Sequence, residues 1–133
     1  MFNLSNKIVV ITGGAGKLGS KHAEAVAEFG AIPIILDLSQ AAVNKIVLSI
    51  KTQYGINASG FQVDITNEKQ VSECCQEIIL LYGKIDVLIN NATNNPKVED
   101  AKKDKNFSRL ENYDLSKWNQ DISVGLTGSF LCA

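Results

Sequence analysis

Three glycines, Gly13, Gly16 and Gly19, stand in a Thr-Gly-x-x-Gly-x-x-Gly run that follows a short apolar segment and opens a helical pattern. Glycine permits a tight turn and lets a pyrophosphate approach the backbone, while the start of a helix supplies free N–H donors and partial positive charge. The run alone is weak evidence, but strand, turn and helix in this order predict a dinucleotide-binding loop. The predicted site also includes the residues between the glycines: Ala15, Lys17 and Leu18.

An acidic residue follows the second apolar run, where Asp37 is succeeded by Leu38. A carboxylate at this place can accept hydrogen bonds from both ribose hydroxyls of adenosine and repels a 2′-phosphate. Asp37 taken alone could equally be a cap or turn residue, but the neighbouring glycine run favours the ribose role. We therefore predict NAD as the cofactor in preference to NADP. Lys17 could pair with a 2′-phosphate, but we expect its side chain on the outer face of the loop.

Short β-branched apolar runs alternate with amphipathic segments along the chain. Strands are predicted at residues 7–12, 32–36, 59–63 and 85–89, and helices at residues 20–29, 39–54, 68–82 and from Leu115 onward. The strands show no polar alternation, which is typical of strands buried on both faces. This order predicts the α/β class: a doubly wound parallel sheet with helices on both faces.

Composition excludes several classes of function. The net charge is −1 and 45% of residues are hydrophobic, so a nucleic acid or an anionic membrane is not expected as a partner. No apolar run approaches the roughly 18 residues of a membrane span. The three cysteines lack metal-ligand spacing, and two of them, Cys74 and Cys75, are adjacent. With no signal-peptide pattern at the N-terminus, we expect a cytoplasmic chain with reduced thiols and no metal.

The chain resembles the short-chain dehydrogenase/reductase family over its whole length, and further motifs carry the likeness. Asp64-Ile65 resembles the acidic–apolar pair that contacts adenine in this family, and Asn90-Asn91-Ala92-Thr93 resembles its Asn-Asn-Ala-Gly motif. The resemblance implies a Rossmann-like fold, with Asn91, Ala92 and Thr93 beside the central part of the cofactor. Trp118 and Leu126-Thr127-Gly128 match the long helix that follows. Lys17 stands where the family usually has its middle glycine.

Two departures from the family pattern concern catalysis. Gly125 occupies the position of an asparagine that helps to hold a proton-relay water in the family. The catalytic Ser and Tyr-x-x-x-Lys of the family lie on a later strand and helix, which this chain does not include. Tyr113 and Lys117 have the same spacing, but Tyr113 precedes the expected helix cap Asp114 and is not expected to act. The resemblance therefore implies that residues 1–133 are an incomplete NAD-binding domain with no catalytic residue of its own.

A long polar stretch, residues 93–113, separates the fourth strand from the fourth helix. Loops of about 20 residues are uncommon in compact domains and are often functional. Two interpretations stay open: a solvated loop, and a flap over a substrate site at the carboxyl end of a central strand.

The resemblance implies an NAD(H)-dependent oxidoreductase acting on a secondary alcohol or ketone, with sugars and sugar nucleotides among the candidates. Within the family, Gly125-Leu126-Thr127-Gly128 and the stretch 106–111 are similar to the branch of gluconate 5-dehydrogenase-like and flagellin-modification oxidoreductases. The partners implied are a small-molecule substrate and further copies of the chain, packed through the fourth helix. The alternative is a non-catalytic nucleotide-binding or interaction module. Without a fifth strand, strand four is expected at an exposed sheet edge.

Overall fold

The computed structural model describes residues 3–94, 111 and 113–133, which form a parallel sheet with helices on both of its faces. The four strands lie in the order β3-β2-β1-β4. Their bounds are β1 Ile8–Thr12, β2 Ile32–Asp37, β3 Ser59–Gln62 and β4 Val87–Ile89. The predicted α/β class and parallel sheet are confirmed. Strand β4 pairs only with β1, so the prediction that it forms a sheet edge is also confirmed for the described residues.

The helices lie in the four regions where the sequence predicted them. Three helices connect the strands: α1 Lys17–Glu28, α2 Gln40–Tyr54 and α3 Glu68–Tyr82. Ser39 and Asn67 cap α2 and α3 by accepting the backbone N–H groups of Ala42 at 3.3 Å and Gln70 at 3.1 Å. After the polar stretch come α4 Leu115–Ile122, a π-helical segment Ser123–Gly128 and α5 Ser129–Cys132.

Two apolar layers sandwich the sheet, because alternate strand residues point to opposite faces. Helices α1 and α2 cover one face, where the buried residues are Val9, Ile11, Ala23, Ala27, Ala31, Ile35, Val43 and Ile50. Helix α3 covers the other face, where the buried residues are Ile8, Val10, Ile34, Leu36, Val63, Ile65, Cys74 and Ile78. The second layer also receives Val124 and Cys132, so the C-terminal helical region contacts the core at these positions.

Apart from shifts of one residue, the structure corrects the predicted elements at three places. Helix α1 begins at Lys17 rather than at Ser20, because Gly16 already has the extended backbone of a helix cap and Ser20 N–H bonds Gly16 C=O at 2.9 Å. Strand β4 begins at Val87 rather than at residue 85, because only residues 87–89 pair with β1. The last helix is not uniform, because π-helical backbone interrupts it between residues 123 and 128.

The long polar stretch falls mostly outside the described residues. Residues 95–110 and 112 are not described, so the choice between a solvated loop and a flap stays open. Among the helices that are described, none has both the length and the apolar character needed to cross a membrane.

Candidate functional site

A cleft of about 520 Å³ opens at the carboxyl ends of the strands, beside the point where the strand order reverses between β1 and β4. Open parallel sheets bind ligands at this kind of switch point. The volume falls in the range of about 300–1,000 Å³ that small-molecule and cofactor sites occupy. Residues lining the cleft are Gly13, Gly16, Lys17, Leu18, Gly19, Leu36, Asp37, Leu38, Val63, Asp64, Ile65, Asn91, Ala92, Thr93, Asn94, Gln120 and Val124.

The glycine loop forms the floor of this cleft, and two of the glycines that line it, Gly13 and Gly19, have no space for a side chain. Gly13 has a φ of +60°, in the left-handed region that favours glycine, and a Cβ there would lie 2.9 Å from Ala92 Cα. A Cβ at Gly19 would overlap the Gly13 carbonyl oxygen and lie 2.7 Å from Gly14 Cα. These contacts bring the first turn of α1 directly against the end of β1, which leaves bare backbone facing the cleft.

Helix α1 points its N-terminus into the cleft. Gly16 is the N-cap and offers no side chain to bond the first-turn N–H groups. Those N–H groups lack partners within the helix, and with the helix dipole they favour an anion. The exposed side chains of Lys17 and Leu18 border the same opening, so Lys17 is solvent-exposed as expected but also lies at the cleft.

Asp37 forms the wall of the cleft at the end of β2, and the glycine loop holds its carboxylate in place. Its Oδ2 accepts the backbone N–H of Ala15 at 3.1 Å, and its Oδ1 accepts the N–H of Ser39 at 3.5 Å. Ala15 itself does not line the cleft, so its contribution is this N–H group. Leu38 follows with an exposed side chain on the cleft wall.

Asp64 and Ile65 lie on the wall that follows β3. The Oδ1 atom of Asp64 accepts both the backbone N–H of Thr66 at 2.9 Å and its hydroxyl at 2.7 Å, which fixes the turn into α3. Ile65 is buried, and a Cβ at Gly128 would lie 2.7 Å from its Cδ1. Close contact between Gly128 and Ile65 therefore brings the π-helical segment against this wall.

Asn91, Ala92 and Thr93 follow β4, and hydrogen bonds fix the first two to the end of β1. The Asn91 amide donates to the carbonyl oxygens of Thr12 at 3.0 Å and Gly13 at 3.1 Å. Thr12 Oγ1 in turn accepts the backbone N–H groups of Asn91 and Ala92, each at 3.0 Å. The loop after β4 thus supports the glycine loop, while Thr93 is exposed at the rim.

Five residues line the cleft that the sequence analysis did not assign: Leu36, Val63, Asn94, Gln120 and Val124. The positions of Leu36 and Val63 at strand ends could have indicated them. Gln120 and Val124 carry no local signal, because only the packing of the last helical region brings them to the cleft. Gly125, at the position of the family asparagine, is exposed, and a Cβ there would meet no atom within 4 Å.

Tyr113, the first residue of the Tyr113–Lys117 pair, bonds to a carboxylate of α4. Tyr113 lies outside α4, whose N-cap is Asp114, as expected from the sequence. Its hydroxyl donates to Asp121 Oδ2, while Asn94 Nδ2 donates to Asp121 Oδ1 at 2.8 Å. The hydrogen bond from Tyr113 lowers the pKa of Asp121, and the bond from Asn94 adds to this effect. Asp121 in turn raises the pKa of Tyr113.

The family model described as short chain dehydrogenase matches residues 7–133. This chain belongs to the short-chain dehydrogenase family. It is 30% identical over 128 residues to a 3-oxoacyl-[acyl-carrier-protein] reductase of Aquifex aeolicus, covering 96% of this chain and 48% of that protein. It is also 30% identical over 138 residues to an NADP-dependent mannitol dehydrogenase of Alternaria alternata, covering 100% of this chain and 47% of that protein.

A solved structure of an NAD+-bound xylitol dehydrogenase superposes on this chain with a TM-score of 0.86 at 25% identity. The superposition covers 98% of this chain and 46% of that one. This short-chain dehydrogenase chain therefore spans about half the length of each of these three proteins. Its relatives are oxidoreductases, and the family binds nicotinamide dinucleotides; the relatives named here include both an NADP-dependent and an NAD+-bound enzyme.

Proposed function

We propose that residues 1–133 form the dinucleotide-binding part of an NAD(H)-dependent oxidoreductase that interconverts a secondary alcohol and a ketone. The observation that carries the proposal is the carboxylate of Asp37, held by Ala15 N–H at the cleft wall beside the uncapped start of α1. The roles of the site residues assigned from the sequence are part of this proposal.

Asp37 favours NAD over NADP for electrostatic reasons. Its Oδ1 has only a long contact of 3.5 Å to Ser39 N–H, so this oxygen has capacity to accept ribose hydroxyls. A 2′-phosphate at the same ribose would place negative charge against the carboxylate, and like charges at this range repel. Lys17, on α1, is the cation that could oppose this preference, but it begins the helix whose N-terminus faces the pyrophosphate region.

The glycine loop fits a pyrophosphate, because Gly13 and Gly19 leave bare backbone at the cleft floor where a side chain would collide with neighbouring backbone. First-turn N–H groups of α1 would bind the phosphate oxygens. Leu18 and Leu38 offer exposed apolar surface on either side of the opening, which suits the ribose and adenine faces. Asn91 would hold its loop by its bonds to Thr12 and Gly13 rather than by contacting phosphate.

A bound nicotinamide would supply the hydride donor or acceptor. The glycine loop and Asp37 of this chain would bind and orient the cofactor. The acid–base group that exchanges a proton with the substrate oxygen is proposed to lie in the rest of the protein. Polyols and the corresponding ketoses are the proposed substrate class, supported by the mannitol and xylitol dehydrogenases among the similar proteins.

Turnover by the full-length gene product tests the proposal. Xylitol, mannitol and glycerol are assayed with NAD+ and with NADP+, for the native protein and for Asp37→Ala. We expect kcat/KM with NAD+ to exceed that with NADP+ by about tenfold or more, which corresponds to about 1.4 kcal/mol. Asp37→Ala should lower the ratio of kcat/KM with NAD+ to kcat/KM with NADP+. Glu73→Gln, on the exposed face of α3, should leave this ratio unchanged. NAD+ binding without turnover of any alcohol or ketone would favour the non-catalytic module.

Association with further copies of the chain is part of the proposal. Three large apolar residues share one face of α4 and are all exposed: Leu115, Trp118 and Ile122. A second copy that packs its own α4 there would bury this face. Sedimentation of the full-length protein should give a dimer or larger, and Trp118→Glu should shift it toward the monomer. A native monomer would contradict this.

A cytoplasmic location is also proposed. All three cysteines, Cys74, Cys75 and Cys132, are free thiols in the structure, and free thiols persist where the compartment is reducing. Cell fractionation with an antibody should recover the protein with cytoplasmic markers, and recovery with membranes or medium would contradict the assignment.

A further inference from the structure

The amide of Asn94 has one orientation, because its partner can only accept hydrogen bonds. Asn94 Nδ2 donates to Asp121 Oδ1 at 2.8 Å. An ionised carboxylate has no hydrogen to donate, so the amide nitrogen must face it and the amide oxygen must point elsewhere. The carboxylate stays ionised, since the hydrogen bonds from Tyr113 and Asn94 hold the pKa of Asp121 below its usual range.

Asn94 belongs to the wall of the cleft. Asn94 lines the cleft together with Asn91, Ala92 and Thr93, whereas Asp121 is not among the lining residues. Within the described part of the chain, no group donates a hydrogen bond to Asn94 Oδ1. Asn94 as a whole is half-buried. A ligand in the cleft would therefore meet a fixed acceptor.

The strand order fixes which end of the cleft carries this acceptor. Asp37 ends β2 and Asn94 follows β4, and these strands flank β1 on opposite sides. If the adenosine ribose lies at Asp37, as proposed above, the dinucleotide crosses the end of β1 and its nicotinamide lies at the β4 side. Asn94 then borders the place where the nicotinamide and the substrate meet.

We propose that Asn94 is a specificity-determining residue whose Oδ1 accepts a hydrogen bond from an O–H or N–H donor of the ligand at the nicotinamide end. Asp121 is the positioning residue that fixes the Asn94 amide, and Tyr113 holds Asp121. This rests on the proposed function, because that function sets the direction of the dinucleotide. The donor is either the carboxamide of the nicotinamide or a hydroxyl of the substrate, and the two sources give different results below.

The test uses the full-length protein and four variants. Asn94→Leu removes the amide oxygen that accepts the hydrogen bond. If the leucine variant fails to fold, Asn94→Ser takes its place, because serine removes the amide and leaves only a shorter side chain. Asp121→Asn keeps the size and the bond to Tyr113 but allows the Asn94 amide to turn its oxygen toward position 121. Glu73→Gln makes a matched charge change on the exposed face of α3, far from the cleft.

Calorimetry first compares NAD+ with 3-acetylpyridine adenine dinucleotide, in which a methyl group replaces the carboxamide NH2. If the carboxamide is the donor, the native protein prefers NAD+ by about two- to tenfold, the range of one neutral hydrogen bond. The preference disappears in the Asn94 and Asp121 variants and survives in Glu73→Gln. A general loss of structure would weaken the binding of both dinucleotides alike and would not abolish the preference for NAD+.

If a substrate hydroxyl is the donor, the variants bind both dinucleotides like the native protein. The KM for xylitol then rises about two- to tenfold in the Asn94 variants and in Asp121→Asn, with kcat within about twofold. Variants that change neither the dinucleotide preference nor the KM overturn the role of Asn94 while the proposed function stands. Failure of the native protein to bind NAD+ overturns the proposed function and this inference together.

Discussion

Two hydrogen bonds, both donated by Asn91, join it to Thr12. The Asn91 backbone N–H reaches Thr12 Oγ1 and its side-chain amide reaches the Thr12 carbonyl oxygen, each at 3.0 Å. Thr12 is the one buried polar or charged side chain among the described residues, at 1% exposure. Through this pair, the loop after the edge strand β4 supports the glycine loop after β1. The floor of the cleft and the wall after β4 therefore depend on each other.

Thr12→Val should destabilise the protein by about 1–3 kcal/mol. Valine keeps the shape but removes the acceptor of two N–H groups, those of Asn91 and Ala92, and leaves them unsatisfied in a part-buried site. Urea unfolding of the full-length protein measures the change. Thr52→Val is the matched control, because Thr52 is exposed on α2 and bonds only Leu48 C=O, at 2.9 Å. Equal effects at the two positions would contradict the role of Thr12.

Gly19→Ala should abolish measurable dinucleotide binding, because the added Cβ would overlap the Gly13 carbonyl oxygen and force the loop apart. Gly125→Ala is the matched control in another helical segment, where a Cβ meets nothing within 4 Å. Removing a helical glycine there should leave binding unchanged and raise stability by up to about 1 kcal/mol. NADH fluorescence titration and thermal unfolding check both variants. Normal binding by Gly19→Ala would contradict the described packing.

The adjacent cysteines should differ sharply in reactivity. Cys74 is buried against the sheet, and burial raises the pKa of its thiol to about 12, so little thiolate is present at pH 7.5. Cys75, the next residue of α3, is exposed. Iodoacetamide under native conditions should label Cys75 and spare Cys74, as read by peptide mass spectrometry. Cys75→Ser should remove the rapid label, and rapid labelling of Cys74 would contradict the account.

Stability should fall in acid through Asp86. Lys84, the backbone N–H of Ile8 and Lys7 all bond its carboxylate, and in that order they hold the pKa of Asp86 well below its usual range. A carboxyl whose pKa is lowered by folding contributes stability above its unfolded pKa of about 3.9 and loses it as the pH falls toward the folded value. The native protein should therefore be more stable than Asp86→Asn at pH 7.

The difference in stability between the native protein and Asp86→Asn should shrink steadily below about pH 4. The midpoints of urea unfolding from pH 7 to pH 2 measure it. Glu73→Gln serves as the control, because the exposed pair Lys69–Glu73, at 3.6 Å, should contribute little at any pH. A difference between native and Asp86→Asn that does not change with pH would show that Asp86 acts through packing alone.

Most of the fold could be predicted from local sequence signals. The buried apolar strands and the helices between them lie where the pattern indicated, because Ser39, Asn67, Gly55 and Gly83 begin or end helices through contacts with near neighbours. The early start of α1 at Lys17 was missed, because the glycines there were interpreted as turn residues. The structure shows that Gly19 is needed for contact with Gly13 and Gly14, inside the helix.

The site could be predicted only where residues follow strands. Asp37, Asp64 and Asn91 lie at strand ends, and a parallel sheet brings such ends to one edge. Gln120 and Val124 line the cleft through the packing of the last helical region, where Gly128 contacts Ile65. The π-helical segment and the Asn94–Asp121 bond depend on contacts distant in sequence, so no local pattern could indicate them.

We expect Asp37 and the glycine loop to bind NAD in preference to NADP. Calorimetric titration of the full-length protein with NAD+ and with NADP+ measures it most directly. NAD+ should bind saturably and at least about tenfold more tightly than NADP+. The ratio of the two dissociation constants should fall in Asp37→Ala and stay unchanged in Glu73→Gln. Equal binding of both dinucleotides, or no binding of either by the folded protein, would contradict it.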